Sequence, residues 1–243
     1  DMEHKGFIEE VGEESSSCDP VYYLPHRPVE KSSSTTTEIR PGFDASAAGP
    51  TGVSLNDCME TGPNLLPLLS DILIRFRKNK VAISADIEKA FLQLSVCPKD
   101  RDVDRFFWKE DDRIRTMRIR RVPFGNKSSP FLLHATVRHH LSKYDQANRV
   151  VQELSQNMYV DDWLSGGDTE EKVLDMVSEA SQIMSDAGMN LTKKSSNSVE
   201  IAENIQRSFH DKTVSVETNK VLGVRWNPAK DDLSFDSLTV SPD

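Results

Sequence analysis

The chain has 243 residues, a formal net charge of −9 and 37% hydrophobic residues. That length suits one large domain or two small ones, with enough apolar content for a core. No apolar run approaches a membrane-spanning length, and the N-terminus lacks the apolar centre of a signal peptide. The three cysteines, Cys18, Cys58 and Cys97, are dispersed and form neither a zinc spacing nor a disulfide framework. A soluble protein of a reducing compartment, with no membrane partner, is therefore expected.

The acidic total is uneven: residues 71–150 hold 18 Lys and Arg against 10 Asp and Glu, and the other residues hold 12 against 29. A basic middle segment is compatible with a polyanion held in a groove, and equally with a solvated charged surface.

In chain order, residues 1–20 are acidic and serine-rich and are expected to be a flexible lead-in. "EKSSSTTT" at 30–37 reads as an exposed loop or hairpin, and "RPGFDASAAGPTG" as a turn-rich stretch in which Pro41 and Gly42 predict a distorted strand. "LLPLLSDILIRFRKNK" places Leu65, Leu69, Ile72 and Phe76 on one helical stripe. "VAIS" at 81–84 is a short buried strand, and Cys97 reads as buried filler. "RFFWKE", "DD" and "RIRTMRIRRVPF" form a hairpin with alternating Arg and apolar residues. "SSPFLLHATVRHHLSKY" is a helix with Ser129 as N-cap and Pro130 at its first position. Its His139 and His140 are adjacent, diverge on a helix and make a poor metal pair. Asp168 and Glu171 fit a capping box. The helix it opens has an apolar face of Val173, Met176, Val177, Ala180, Ile183, Met184 and Ala187, and Gly188 suits its end. Short strands are expected near 213–217, 221–226 and 233–240. This order predicts an α+β domain with helices on one face of an antiparallel sheet.

The chemistry concentrates in carboxylates. Asp86 follows a buried strand, and Asp161 and Asp162 stand side by side in "NMYVDDWLSGGD", at a strand end or hairpin turn. If those strands are neighbours, three carboxylates converge and repel unless divalent cations sit among them. An all-oxygen set with few protein ligands suits Mg2+, and a pair of such ions serves in-line phosphoryl displacement. The dipeptide alone reads more readily as a solvated turn, and it is the other motifs that turn the reading.

Several segments resemble a known family. "MYVDD" resembles the Tyr-X-Asp-Asp signature of reverse transcriptases, and "SADIEKAFLQL" their first catalytic motif. "RVPFGNKSSPFLLHATVRHHL" resembles their substrate-pocket motif, "AGMNLTKKSSNS" the lysine-bearing motif, and "KVLGVRWNP" the primer grip. "YYLPHRPV", "FDASA", "SLNDCMETGPNLLPLL" and "VLGVRWNP…DDLSF" together are similar to a BEL/Pao-type long-terminal-repeat retrotransposon polyprotein. The order and gaps agree from about residue 21 to 240.

The resemblance implies an RNA-directed DNA polymerase of right-hand form. Fingers and palm are present, with a split βαβ antiparallel palm sheet. The implied division is a lead-in at 1–20, fingers at 21–62 and 94–128, palm at 63–93 and 129–212, and a primer-grip region with a truncated start of the thumb or connection at 213–243. Asp86, Asp161 and Asp162 would be the catalytic and metal-binding triad, holding two Mg2+ (or Mn2+) ions. Lys193 would be the general acid to the leaving pyrophosphate, with Lys194 the alternative. Arg40 would contact the triphosphate. Phe91 would lie under the sugar and select deoxynucleotides. Phe124 and Gly125 would line the nucleotide pocket, Tyr159 and Val160 would flank the primer terminus, and Gly223 and Trp226 would form the primer grip, with Trp226 equally a core residue.

Implied partners are an RNA or DNA template with primer, dNTP, and other parts of the same polyprotein such as RNase H and integrase. The implied location is a cytoplasmic virus-like particle or the nucleus. The chain reads as a fragment, a gene model or a decayed element, since it stops soon after the primer-grip motif. The alternative is a catalytically inactive, nucleic-acid-binding remnant.

Overall fold

The computed structural model describes residues 2–12, 20–30, 39–209 and 219–235. Its strands and helices, in chain order, are β1 (Ile8–Glu10), β2 (His26–Glu30), β3 (Ile39–Phe43), α1 (Leu69–Lys78), β4 (Val81–Ile87), α2 (Ala90–Gln93), β5 (Arg105–Glu110), β6 (Arg113–Ile119), α3 (Ser129–Leu141), α4 (Arg149–Asn157), β7 (Met158–Tyr159), β8 (Asp162–Gly167), α5 (Glu170–Ser185), β9 (Leu191–Ser196), α6 (Val199–Phe209), β10 (Asn219–Val221), β11 (Val224–Asn227) and β12 (Asp232–Ser234). The α+β expectation holds, and every strand pairing is antiparallel apart from one isolated bridge, Tyr23 with Arg105. Among the described residues no helix is long and apolar enough to cross a membrane.

The chain forms two compact units, Asp1–Asn64 with Lys89–Leu133, and Leu65–Glu88 with His134–Asp243. In the first, β5 and β6 form the expected hairpin, joined by Asp111 and Asp112, and β1 adds to its β6 edge. The lead-in expected to be flexible thus contains a strand. Its acids explain the pairing. Glu9 meets Arg101, Arg118 and Arg120, while Glu10 meets Arg113 and Arg115. Much of the basic balance of residues 71–150 is therefore met by acids from outside that segment. The core of this unit gathers Leu24, Ala45, Leu55, Phe106, Met117 and Ile119.

β2 and β3 pair in unbroken register from His26 opposite Phe43 to Glu30 opposite Ile39, with Pro28 facing Pro41. The distortion expected at Pro41 and Gly42 is absent. In a two-stranded ribbon each strand has an open edge, so a missing proline donor costs no ladder. Gly42 fits because a Cβ there would stand 2.7 Å from the Val29 side chain. Cys97 is exposed rather than buried.

In the second unit the sheet order is β7-β8-β4-β9. β8 and β9 both run antiparallel to β4, which lies between them. They are therefore mutually parallel, connected through α5 with β4 inserted, which is a split βαβ unit. α5 buries Val173, Met176, Val177, Ala180, Ile183 and Met184, the stripe its 3.6-residue period demands. Its N-cap is Thr169, whose side chain accepts from the Lys172 N–H, so the cap lies one residue beyond the expected Asp168. Gly188, at φ 71°, ends the segment, and the Met189 N–H reaches back to the Met184 carbonyl.

Other boundaries moved for local reasons. α1 begins at Leu69, not Leu65, because Pro67 biases the residue before it away from helix. α3 does begin at Ser129, but the Ser129 hydroxyl donates to the Pro123 carbonyl at 2.6 Å. The strand expected at 221–226 is two strands, split by Leu222 at φ 52° and Gly223 at φ 84°. Two successive positive φ values across a two-residue loop are the signature of a type I′ hairpin. α4 had no counterpart among the sequence expectations. Cys18, most of the loop at 30–37, the strand at 213–217 and the end of 233–240 lie outside the described residues.

Candidate active site

β4 delivers Asp86 as the sixth of its seven residues, later than the "VAIS" strand suggested. Asp86 pairs with Asp162, the first residue of β8, so the two aspartates are direct cross-strand neighbours. Asp161 occupies the two-residue loop between β7 and β8, where Tyr159 pairs with Asp162. Its carbonyl accepts the Ile87 N–H at 2.8 Å, which ties the loop to the end of β4. One sheet register thus makes Asp86 and Asp162 neighbours and ties the backbone of the Asp161 loop beside them.

Burial pushes the Asp162 carboxyl up, and the Asp161 and Asp86 charges push it further, to about 7, against a Leu222 N–H and the Lys193 charge that favour the anion. Burial likewise raises Asp161, with Asp86 adding to the shift, against its own backbone N–H and Lys193. Two carboxyls raised by burial and by like charges set this place apart as a functional-site candidate.

The lysines are placed by a β-bulge. Pairing between β4 and β9 runs Ser84 with Ser195 and then Asp86 with Thr192, so β9 carries an extra residue there. Lys193 takes φ 49° at that point. The bulge re-aims two adjacent side chains. The Lys193 ammonium pairs with Oδ2 of Asp86, and the Thr192 hydroxyl donates to Oδ1 at 3.0 Å. Lys194 is buried and donates to the Leu191 carbonyl. Of the two candidates, Lys193 is the one at the carboxylates. Among the described residues no three His, Cys, Asp or Glu side chains stand close enough to hold an ion as a preformed cage.

Val160 precedes Asp161 with φ 53°. A β-branched residue in that region is a true outlier, and glycine is the usual occupant of such a hairpin position. Its N–H donates to Nε2 of His134 on α3 at 3.0 Å. Tyr159 packs on the cluster of Ile72, Phe76, Ala82, Leu164, Val221, Val224 and Trp226. Trp226 is fully buried, edge-on to Phe76 at 4.9 Å, with its indole N–H on Asp231 at 3.1 Å. Its ring lies in the core, one of the two places expected of it. Gly223 sits in the turn beside Leu222, whose N–H reaches Asp162.

The remaining candidates lie in the first unit. Phe91 on α2 is buried, perpendicular to the exposed Phe124 at 4.7 Å. Gly125 takes φ 105°, and a Cβ there would stand 2.9 Å from the Phe43 carbonyl oxygen. Asn56 clamps this loop: its amide donates to the Gly125 carbonyl at 2.9 Å and its oxygen accepts the Lys127 N–H at 2.9 Å. Arg40 lies on β3, its backbone opposite Val29.

The expectations missed Asn56, Thr192 and His134. All three stood inside quoted motifs, and only their partners reveal what they do. His139 and His140 do diverge. His139 is exposed, and Nε2 of the buried His140 lies 2.6 Å from the Ile183 carbonyl oxygen.

Compared with known proteins, residues 35–226 match the family model of reverse transcriptase (RNA-dependent DNA polymerase). Among solved structures, a foamy viral protease–reverse transcriptase in complex with double-stranded DNA aligns at TM-score 0.65 and 16% identity, over 100% of this chain and 36% of that one. A second such complex with double-stranded DNA aligns at TM-score 0.62 and 17% identity, over 100% and 42%. The native prototype foamy virus protease–reverse transcriptase aligns at 0.58 and 18%, over 79% and 22%. At these identities the likeness is one of fold, and the chain spans well under half of each neighbour. No curated protein sequence matches.

Proposed function

Since the chain belongs to the reverse transcriptase (RNA-dependent DNA polymerase) family, we propose that it is the fingers-and-palm core of an RNA-directed DNA polymerase. In this reading the first compact unit is the fingers and the second the palm. Its motifs are those of a BEL/Pao-type retrotransposon polyprotein. The observation that carries the reading is the pairing of Asp86 with Asp162 beside the Asp161 loop, with Lys193 on Asp86.

The donor set fits Mg2+ or Mn2+. It is all oxygen, and two of its carboxyls, Asp161 and Asp162, are raised first by burial and then by like charges that a cation would offset. Asp86, Asp161 and Asp162 would hold two ions, with Lys193 released from Asp86. When bound, the ions activate the primer 3′-hydroxyl and stabilise the oxygen that leaves.

The chain's own residues do the rest. Lys193, freed from Asp86, donates the proton that pyrophosphate needs. Phe91 blocks a 2′-hydroxyl, and Phe124 and Gly125 line the nucleotide pocket. Arg40 holds triphosphate oxygens with its planar fork. Tyr159 and Val160 flank the primer terminus. The 219–227 hairpin carries Gly223 to the primer, while Trp226 acts by anchoring that hairpin. Partners are a template–primer duplex, dNTP and other parts of the polyprotein, RNase H and integrase among them. The place of action is a cytoplasmic particle or the nucleus.

Primer extension tests this. The protein is given an RNA template with a DNA primer, Mg2+ or Mn2+, and either deoxynucleotides or ribonucleotides, with Asp161→Asn in parallel. Metal-dependent extension that the variant loses and ribonucleotides do not support is expected. Salt-sensitive binding of the primer–template without extension would overturn the polymerase reading in favour of a binding remnant.

A further inference from the structure

His134 and Val160 present a hydrogen bond that the proposed chemistry does not use. Val160 is the first residue of the two-residue loop that carries Asp161, and it holds φ 53°. In a hairpin loop of this size the N–H of the first central residue lies outside the ladder between the strands. Left alone, that N–H would be a polar group without a partner beside a strained backbone. Here it donates to Nε2 of His134 at 3.0 Å. The imidazole is 4% exposed and comes from a different element, the helix α3.

We propose that His134 is a positioning residue for the Asp161 loop. Its neutral ring accepts the Val160 N–H, holds Val160 in the left-handed region, and so fixes where the Asp161 carboxylate stands. The inference rests on the polymerase reading for its consequence, but not for its geometry.

The geometry dictates the protonation state. Nε2 accepts only when it carries no proton, so the ring is the Nδ1–H tautomer. Burial, and then the charge of Arg138 one helical turn on, push the imidazole down to about 4, so it remains an acceptor at neutral pH. A leucine would fill the space and leave the N–H unmet. A glutamine would offer a neutral oxygen at similar reach.

The first measurement needs no variant and no activity. A Val160 N–H donating to a ring nitrogen gives a scalar coupling across the hydrogen bond, readable by NMR on 15N-labelled protein. We expect that coupling, with His134 in the Nδ1–H form. A protonated Nε2, or no coupling, overturns the proposal.

The second measurement compares His134→Leu with His134→Gln. The leucine variant should speed Val160 amide exchange about tenfold, the worth of one net hydrogen bond. It should also lower the kcat of primer extension by up to about 100-fold with KM for the primer–template unchanged, as small misplacements at a reacting centre do. The glutamine variant should restore both. Equal loss in the two variants would mean that the ring acts as filler, and would overturn the inference. A wild-type protein with the coupling but no primer extension sinks the polymerase reading and leaves the positioning intact. Extension without the coupling sinks the positioning alone.

Discussion

Two partly or fully buried aspartates, Asp102 in the first unit and Asp162 in the second, end with carboxyls shifted in opposite directions. Burial works to raise both. At Asp102 the bonds and charges of Arg105 and Arg118, at 3.0 and 2.9 Å, outweigh it and hold the carboxyl below the usual range. At Asp162 the neighbours are Asp161 and Asp86, and the carboxyl rises to about 7. The arginines beside Asp102 pair with it and with Glu9 as a structural array does. The loop around Asp162 gathers like charges against the Lys193 ammonium, which stability alone gives no reason to keep.

The largest expected effect comes from breaking the unmatched side. Asp161→Asn should cut primer extension by about 100-fold or more, the scale for removing a group that stabilises developing charge. The same change should leave thermal stability equal or higher, because one of three repelling charges is gone. A large loss of stability would show that Asp161 belongs to the structural class with Asp102. Next, Trp226→Ala should cost about 3–5 kcal/mol in chemical denaturation, as truncation of a buried aromatic does. Trp226 anchors the hairpin whose Leu222 N–H meets Asp162. The surviving fold should therefore titrate Asp162 higher still, which carboxyl 13C shifts would read.

How far the sequence alone reaches follows the same contrast. The α5 stripe, the β5–β6 hairpin and the meeting of Asp86 with Asp161 and Asp162 were legible because each rests on a local period or a strand-end rule. What was not legible depends on partners distant in the chain. Ile8–Glu10 reads as an acidic tail until the arginines of β6 are placed beside it. α4 was overlooked although Asn148 caps it, accepting the Val150 N–H at 2.7 Å, and Val150, Val151 and Leu154 are buried. Nine residues gave too short a stripe to stand out. The choice between Lys193 and Lys194 turned on a bulge that no spacing announces. His134 looked like one more helix residue until the Val160 N–H supplied its purpose.

Asp104 lies between the two extremes and sharpens the rule. It is 2% exposed, and its partner in a hydrogen bond is the Asn126 amide at 3.0 Å, while the buried Asn126 side-chain oxygen has no hydrogen-bond partner among the described residues. Burial raises the carboxyl to about 6, against the Asn126 bond. The folded form therefore holds its proton more tightly than the unfolded chain. Its contribution to stability is full below about pH 4 and is lost as pH rises through about 6. Asp104→Asn should remove that slope and add a donor for the orphaned oxygen. A gain of about 1–3 kcal/mol at pH 7.5 is expected from the roughly two-unit shift. An unchanged pH profile in urea denaturation would refute it.

The smallest effect belongs to the matched surface. Glu10 meets Arg113 at 3.0 Å and Arg115 at 2.9 Å, yet the Arg113 side chain is 73% exposed, and Arg115 keeps Glu3 and Glu110. Water and salt screen such pairs, and ordering two long side chains offsets most of what remains. Glu10→Gln should shift the melting midpoint by about 1 °C or less at physiological salt. A fall of several degrees would mean that β1 is held to β6 by these charges rather than by its ladder and by Ile8 packing on the core. In that case the first unit's array would share with the Asp161 loop a dependence on charge that its geometry does not require.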